Sequence, residues 1–315
     1  MTEPSTDRVP LRGFINIDKP AGITSFDVVR RIRRAAGVRK VGHAGTLDPN
    51  ATGVLPIAIG EATRLVDELI GSTKGYRADI VLGRATDTYD AEGEATEEHD
   101  ASAIPDEAIA KALDAFRGEI EQRPPAFSAV KREGVVAYRA ARKGQPLDLE
   151  PRPVVVHDLD VVAIERADPA RPRVTVDVHC GKGFYLRSLA HDLGRALGVG
   201  GYLDALRRTH VGPFDVGDAT ALDHASAMLE AGAIEHLVHA PDIVISDWHA
   251  IILGRRQAAQ VRQGRDVTAL PRRDYVRPEG TPPEVRSYGP NGELVALLRP
   301  GRAVGTWHPY RVFPG

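Results

Sequence analysis

Apolar and polar positions follow two rhythms along the 315 residues of this chain, one of period two and one near about 3.6. Gly13-Phe14-Ile15-Asn16-Ile17 alternates as a short strand, and Lys19-Pro20-Ala21-Gly22 ends it as a turn. Phe26, Val29, Ile32 and Ala36 then fall at helical spacing, which predicts a helix capped by Ser25 and stopped by Gly37. An unbroken apolar run over 54–59 predicts a buried strand, 61–70 a helix and 76–83 a further strand. Residues 106–116 form an amphipathic helical pattern with Ile109, Leu113 and Phe116 inward. The β-branched stretches 154–162 and 174–178 read as strands. A helix then runs to Leu197, Gly198 to Gly201 close it, and 203–208 begins a short helix.

This pattern divides the chain. Residues 1–12 are polar and read as a loose tail, 13–240 as one large domain, and 241–315 as a small one, in keeping with the length. The boundary is placed at 241–248. Beyond it, short apolar runs at 266–270 and 294–298 between Pro- and Gly-rich turns predict a small β-barrel, with 275–284 as an extended or mobile loop.

Composition narrows the class. Hydrophobic residues make up 42% of the chain, enough for a core, and the single cysteine, Cys180, excludes an intrachain disulfide framework or a Cys-rich metal cluster. A reducing cytoplasm fits. Neither a secretory leader nor an apolar stretch of about 18 residues is present, so membrane spanning is not expected.

Charge changes the picture more. The net charge is −2, unlike a basic nucleic-acid-binding polypeptide, so the distribution of charge has to carry any such role. Residues 87–121 hold twelve Asp or Glu against Lys111 and Arg117 and are expected to face away from a polyanion. Over 122–145 the sign flips: Arg123, Lys131, Arg132, Arg139, Arg142 and Lys143 interleave with Phe127 and Tyr138, a mixture suited to backbone contacts plus stacking. A basic surface hairpin and helix is the alternative. Arg30, Arg31, Arg33 and Arg34, continued by Arg39 and Lys40, read either as a solvated face or as a phosphate-contacting surface. Residues 250–315 hold eleven Arg against five acidic residues.

The stretch with the densest chemical signal is 41–63. One carboxylate, Asp48, sits among Gly42, Gly45 and Gly53, with Pro49 holding it extended, just before the apolar run. Taken alone, Asp48-Pro49-Asn50 also reads as a surface turn whose aspartate bonds its own backbone. Gly42-His43-Ala44-Gly45-Thr46-Leu47-Asp48-Pro49 with Ala51-Thr52-Gly53-Val54-Leu55-Pro56 resembles the catalytic segment of the TruB family of tRNA pseudouridine synthases. The likeness extends to Asn16-Ile17-Asp18-Lys19-Pro20-Ala21-Gly22-Ile23-Thr24-Ser25, Gly75-Tyr76-Arg77-Ala78, Gln122-Arg123-Pro124-Pro125-Ala126-Phe127-Ser128-Ala129-Val130-Lys131 and Gly183-Phe184-Tyr185-Leu186-Arg187. It covers roughly the first three quarters of the chain. Gly181-Lys182-Gly183 lacks the spacer and trailing hydroxyl of a P-loop.

The resemblance implies an α+β fold: a central mixed, mainly antiparallel sheet flanked by helices, a thumb-like RNA-binding insertion over 122–146, and a C-terminal PUA-like β-barrel. It implies an isomerase acting on the uridine at position 55 in the TΨC loop of tRNA. Asp48 is then the catalytic carboxylate, and Arg187 its partner, a fork keeping it charged in a dry pocket. Tyr76 stacks on the flipped uracil, its hydroxyl being a candidate base, and Tyr185 and Leu206 wall the pocket. His43 enters the RNA loop where the target base was. Lys19 has a structural or phosphate role, and Arg30, Arg34 and Lys131 contact RNA. Core packing is the alternative for Tyr76, Tyr185 and Leu206, and a surface arginine for Arg187. Nothing is oxidised or added in this isomerisation, so no cofactor is expected, and the histidines lack the spacing of a metal site. tRNA is the expected partner of a monomer. Two other readings stand beside this one: a catalytically silent RNA-binding or folding protein, and a guide-RNA-dependent enzyme modifying ribosomal RNA.

Overall fold

A computed structural model describes residues 11–132, 134–268 and 284–314. Most of the expected tail, and all of the expected loop at 275–284 except Glu284, lie outside the described residues.

The chain enters as β1 (Gly13–Lys19) and continues into α1 (Ser25–Ala36). Thr24, one residue before the expected cap, forms a capping box with Asp27, and Gly37 ends the helix at φ 65°. Ser25 turns inward instead. Its hydroxyl donates to Leu47 O at 3.1 Å and accepts from Leu47 N at 2.9 Å. Pinning Ser25 sets the rotation of the helix, so that Val28, Val29 and Ile32 face in, whereas Phe26, expected inside, lies about 100° around and is 60% exposed.

Next come β2 (Val41–His43) and β3 (Thr52–Ile59), paired antiparallel so that they frame the 44–51 loop. The single helix expected over 61–70 is a 3-10 turn, Gly60–Leu65, followed by a short α2 (Val66–Gly71). The strand β4 (Lys74–Leu82) leads to the hairpin of β5 (Arg84–Thr86) and β6 (Ala95–Glu98). Helix α3 (Asp106–Asp114) buries Ile109 and Leu113 as its spacing requires, and β7 (Gly118–Gln122) follows. The basic segment folds as the small hairpin β8 (Lys131–Arg132) and β9 (Val135–Val136) with α4 (Ala137–Ala141). Then come β10 (Arg152–Glu165), β11 (Arg173–Cys180) and α5 (Leu186–Ala196).

Residues 203–208, expected as helix, are the middle of β12 (Gly201–Val211). Leu203, Ala205 and Leu206 have fair helix propensity, but this strand has β4 on one side and β3 on the other, and the ladder bonds outweigh a weak local preference. Register shifts between Leu203 and Ala205, and between Arg208 and His210, blur the period-two signal. The domain closes with β13 (Phe214–Asp215), β14 (Thr220–Ala221) and α6 (Leu222–Ala231). The sheet order is β14-β1-β3-β12-β4-β11-β10-β7, with β2 on β3 and β13 on β12. Only β1 with β14 and β3 with β12 run parallel, so the sheet is mixed and mainly antiparallel, as expected.

Helices divide the interior. Under α3 and α5 lie Ala78, Ile80, Val174, Val176, Leu189 and Leu193, and under α1 and α6 lie Ile15, Ile17, Val29, Ile32, Leu55 and Ile57. Leu206 packs against both groups and marks their seam. Helix α5 can reach that seam because Gly194 meets the backbone of Gly201: a Cβ at 194 would lie 2.0 Å from Gly201 N.

The C-terminal part comprises β15 (Ala250–Ile252), α7 (Arg255–Arg262), β16 (Val267–Thr268), β17 (Val285–Tyr288), β18 (Leu294–Pro300) and β19 (Thr306–Val312). The five strands form a curled half-barrel in the order β15-β17-β18-β19-β16 rather than a closed barrel, among the described residues. Leu65, Leu69, Val211, Phe214, Ile245, Leu297 and Phe313 form a third core joining it to the back of the large sheet.

Candidate active site

The 44–51 loop is fastened from below by two buried cations. Lys19, fully buried at the end of β1, donates from Nζ to Pro20 O at 2.9 Å, Pro49 O at 2.8 Å and Ala51 O at 2.7 Å. Burial lowers its pKa to about 8; the nearby Asp48 charge opposes that shift and Arg208 adds to it. This makes Lys19 a structural donor with no face left for phosphate. The second cation, Arg208, is absent from the sequence reading. It is 1% exposed and donates from Nε to Val54 O at 2.7 Å, from Nη2 to Gly45 O at 3.0 Å and from Nη1 to Thr46 O at 3.5 Å.

On this support Asp48-Pro49-Asn50-Ala51 makes a turn closed by Ala51 N donating to Asp48 O at 3.2 Å. The turn is closed through backbone, and the carboxylate faces Arg187 at the start of α5: Nε lies 3.1 Å from Asp48 Oδ2. The fork is not spent on Asp48 alone. Nη1 lies 3.7 Å from Asp90 Oδ2, and Nη2 donates to Phe127 O at 2.9 Å. The Arg187 side chain is 9% exposed and that of Asp48 48%, so a buried guanidinium presents an open carboxylate rather than sealing it in a dry pocket.

Asp90 corrects a second expectation. The acidic stretch begins beside the site instead of facing away from it: Asp90 joins Arg187, and Asn50 of the Asp48 turn donates to Glu92. The turn is unusual at Tyr89, a non-glycine residue at φ 65°, whose ring stacks on His191 of α5 at 3.9 Å and 14°. Only the fold brings residues 48, 90 and 187 together; no local pattern marks Asp90 among its acidic neighbours.

Tyr76 lies on β4 directly opposite Arg208 of β12. Burial pushes its hydroxyl pKa up, and the Arg208 guanidinium beside it opposes the rise. His43 ends β2; burial, with Arg208 assisting, lowers its pKa, so the imidazole is neutral at pH 7, and its Nδ1 is buried without a partner. Tyr185, the residue before α5, exchanges backbone bonds with the buried Gln122 side chain, 2.8 Å from its N and 3.1 Å from its O. Ser188 Oγ donates to Arg123 O at 2.8 Å, so the root of the basic insertion is tied to α5 at Gln122, Arg123 and Phe127. Leu206 lies at the seam of the two cores. Arg30 and Arg34 are exposed on α1 away from this cluster, lining a shallow groove with Ile23, Arg31 and Leu222, and Lys131 is exposed on β8. Among the described residues no cluster of metal-ligating side chains occurs.

Residues 33–186 match the model of the TruB family pseudouridylate synthase (N terminal domain), and 187–240 that of the tRNA pseudouridylate synthase B C-terminal domain. Over 289 residues the chain is 44% identical to a tRNA pseudouridine synthase B of Paenarthrobacter aurescens (strain TC1), covering 91% of each chain. Over 306 residues it is 43% identical to a protein of the same name from Thermobifida fusca (strain YX), covering 96% of this chain and 99% of that one. A solved H/ACA RNP bound to a substrate RNA containing 2′-deoxyuridine matches with a TM-score of 0.70 at 26% identity, over 96% of this chain and 85% of that one. Fold and site together define an RNA-modifying isomerase of the pseudouridine synthase class. The chain belongs to the TruB family of pseudouridylate synthases.

Proposed function

We propose that this enzyme isomerises the uridine at position 55 in the TΨC loop of tRNA, with Asp48 as its catalytic carboxylate. The observation that carries the assignment is the half-exposed Asp48 carboxylate held 3.1 Å from the buried Arg187. Isomerisation breaks the bond from C1′ to N1, turns the uracil, forms a bond from C1′ to C5, and moves the C5 proton off the ring while N1 regains one. The substrate must leave its stack to reach the Asp48 turn. Asp48 acts as the anion at the reacting bond, Arg187 keeps it ionised and aimed, Tyr76 and Tyr185 flank the uracil, Leu206 floors the pocket, and neutral His43 takes the vacated place in the RNA loop.

In the same reading, residues 13–240 are the catalytic domain, the 122–146 insertion closes on RNA, and 241–315 is a PUA-like RNA-binding module. Arg30, Arg34 and Lys131 meet phosphates, and the enzyme works as a monomer in the cytoplasm. The likeness to an H/ACA RNP favours one competing reading, guide-dependent modification. The test is conversion of unmodified tRNA by the protein alone under single-turnover conditions, with Asp48→Asn beside it. Conversion without guide RNA or other proteins, abolished in Asp48→Asn while tRNA still binds, is expected. Conversion by the Asn variant refutes the role of Asp48, and a need for guide RNA favours the competing reading.

A further inference from the structure

We infer that Arg208 is a positioning residue of this site: it holds the backbone that presents Asp48 and, having no carboxylate of its own, places an unbalanced positive charge against the Tyr76 hydroxyl. The inference rests on the reading of Asp48 as the catalytic group.

The register makes the double role possible. Arg208 is the residue of β12 that lies opposite Tyr76 on β4 and opposite Gly53 on β3. Directly opposed residues on neighbouring strands send their side chains to the same face. Gly53 and Gly45 carry no side chain to compete for that face, and a Cβ at Gly45 would stand 3.4 Å from Arg208 Nη1. The guanidinium spreads its donors over the carbonyls of Gly45, Thr46 and Val54, the residues that lead into and out of the Asp48 turn.

The neighbouring Arg207 points to the opposite face, where Asp18 takes both its Nη1 at 3.1 Å and its Nη2 at 2.8 Å. Of this pair, then, the outer arginine is neutralised and the buried one is left with carbonyl dipoles. Among the described residues no carboxylate bonds to Arg208. A buried cation without a counterion is costly to keep, and active sites are where such a cost persists. Tyr76, the cross-strand neighbour of Arg208, feels the charge: Arg208 works against the rise that burial imposes on its hydroxyl. Lys19 and His43 sense the same charge, each being pushed toward its neutral form by it.

The experiment compares Arg208→Lys and Arg208→Gln in the full chain by single-turnover conversion, tRNA dissociation constant and titration of Tyr76 through its ¹³Cζ resonance. Both variants should lose conversion by about 100-fold, the effect of a reacting group displaced by about 1 Å, while the dissociation constant stays within a few-fold. Lysine keeps the charge but cannot span three carbonyls, so Tyr76 should titrate as in the unmodified protein; glutamine removes the charge, so the Tyr76 pKa should rise. Normal conversion in both variants, or an unchanged Tyr76 titration in Arg208→Gln, overturns the inference. Should the variants fail to fold, ¹⁵N NMR of the unmodified protein decides instead: a guanidinium with slow proton exchange and resolved Nη signals is expected, and free rotation with fast exchange overturns it. Asp48→Asn runs in parallel. Its activity bears on the catalytic reading alone, so the two failures are told apart.

Discussion

At the scale of single residues, Arg187 works by shape more than by charge. Its three nitrogens serve Asp48, Asp90 and the carbonyl of Phe127, a spread that one ammonium cannot reproduce. Arg187→Lys should therefore lose roughly 2–4 kcal/mol of transition-state stabilisation despite keeping its charge, read as single-turnover rate. Near-normal turnover in that variant would separate Arg187 from catalysis. Lys19 makes a pH prediction. Its pKa in the fold, about 8, lies below the ordinary 10.5, so between those values the unfolded chain binds more protons and stability should rise with pH. The cost, at most on the order of 3 kcal/mol, is fully present below pH 8 and relieved toward pH 10.5. Lys19→Met should flatten that rise. It also leaves the carbonyls of Pro20, Pro49 and Ala51 without their donor, so the variant should be about 1–3 kcal/mol less stable at pH 7, as measured by denaturant unfolding at several pH values.

At the scale of elements, the site depends on a close approach of backbone. Gly53 at φ 98° lies where β3 meets β12, and a Cβ there would stand 2.1 Å from Arg208 O. Gly53→Ala should separate the parallel pair and displace the loop and Arg208 together, lowering both melting temperature and turnover; alanine at Gly22, also at positive φ but with no atom within 4 Å of the added carbon, adds backbone strain without the clash and should lower melting by less. Intact melting and activity in Gly53→Ala would contradict the packing described. For α1 the expected effect is smaller: Thr24→Ala removes one arm of the capping box and should cost about 1 kcal/mol in unfolding experiments, with Ser25 still bonded to Leu47. The elements the sequence made legible were those with local signals, such as the capped and Gly-stopped α1 or the β-branched β10 and β11. Strand β12 reads as helix in the sequence because its identity as a strand comes from its neighbours. Phe26 faces out although its spacing predicts it inside, because the inward face of α1 is set by a hydrogen bond to a loop twenty-two residues away.

At the scale of the whole molecule, binding of a polyanion to a chain of net charge −2 has to rely on patches. The patches we propose for it are the exposed arginines of α1, the basic hairpin with α4, and the C-terminal part, whose sequence is rich in arginine. Affinity for tRNA should fall steeply as salt is raised from about 50 to 200 mM, because each neutralised phosphate releases counterions. A flat dependence would refute the patch model.

The sequence by itself determined the family, the position of Asp48 in its glycine-framed turn, and the paired motifs that supply Arg187, Tyr76 and Lys19, because each is written in contiguous residues with strict local geometry. Tertiary structure alone decided that Asp90 shares Arg187 with Asp48, that Lys19 is a buried clamp rather than a phosphate ligand, and that Arg208 lies under the loop beside Tyr76. These relations join residues 30 to 163 positions apart, and they arise from sheet register, which depends on which strands become neighbours and so leaves no mark in any one stretch of the chain.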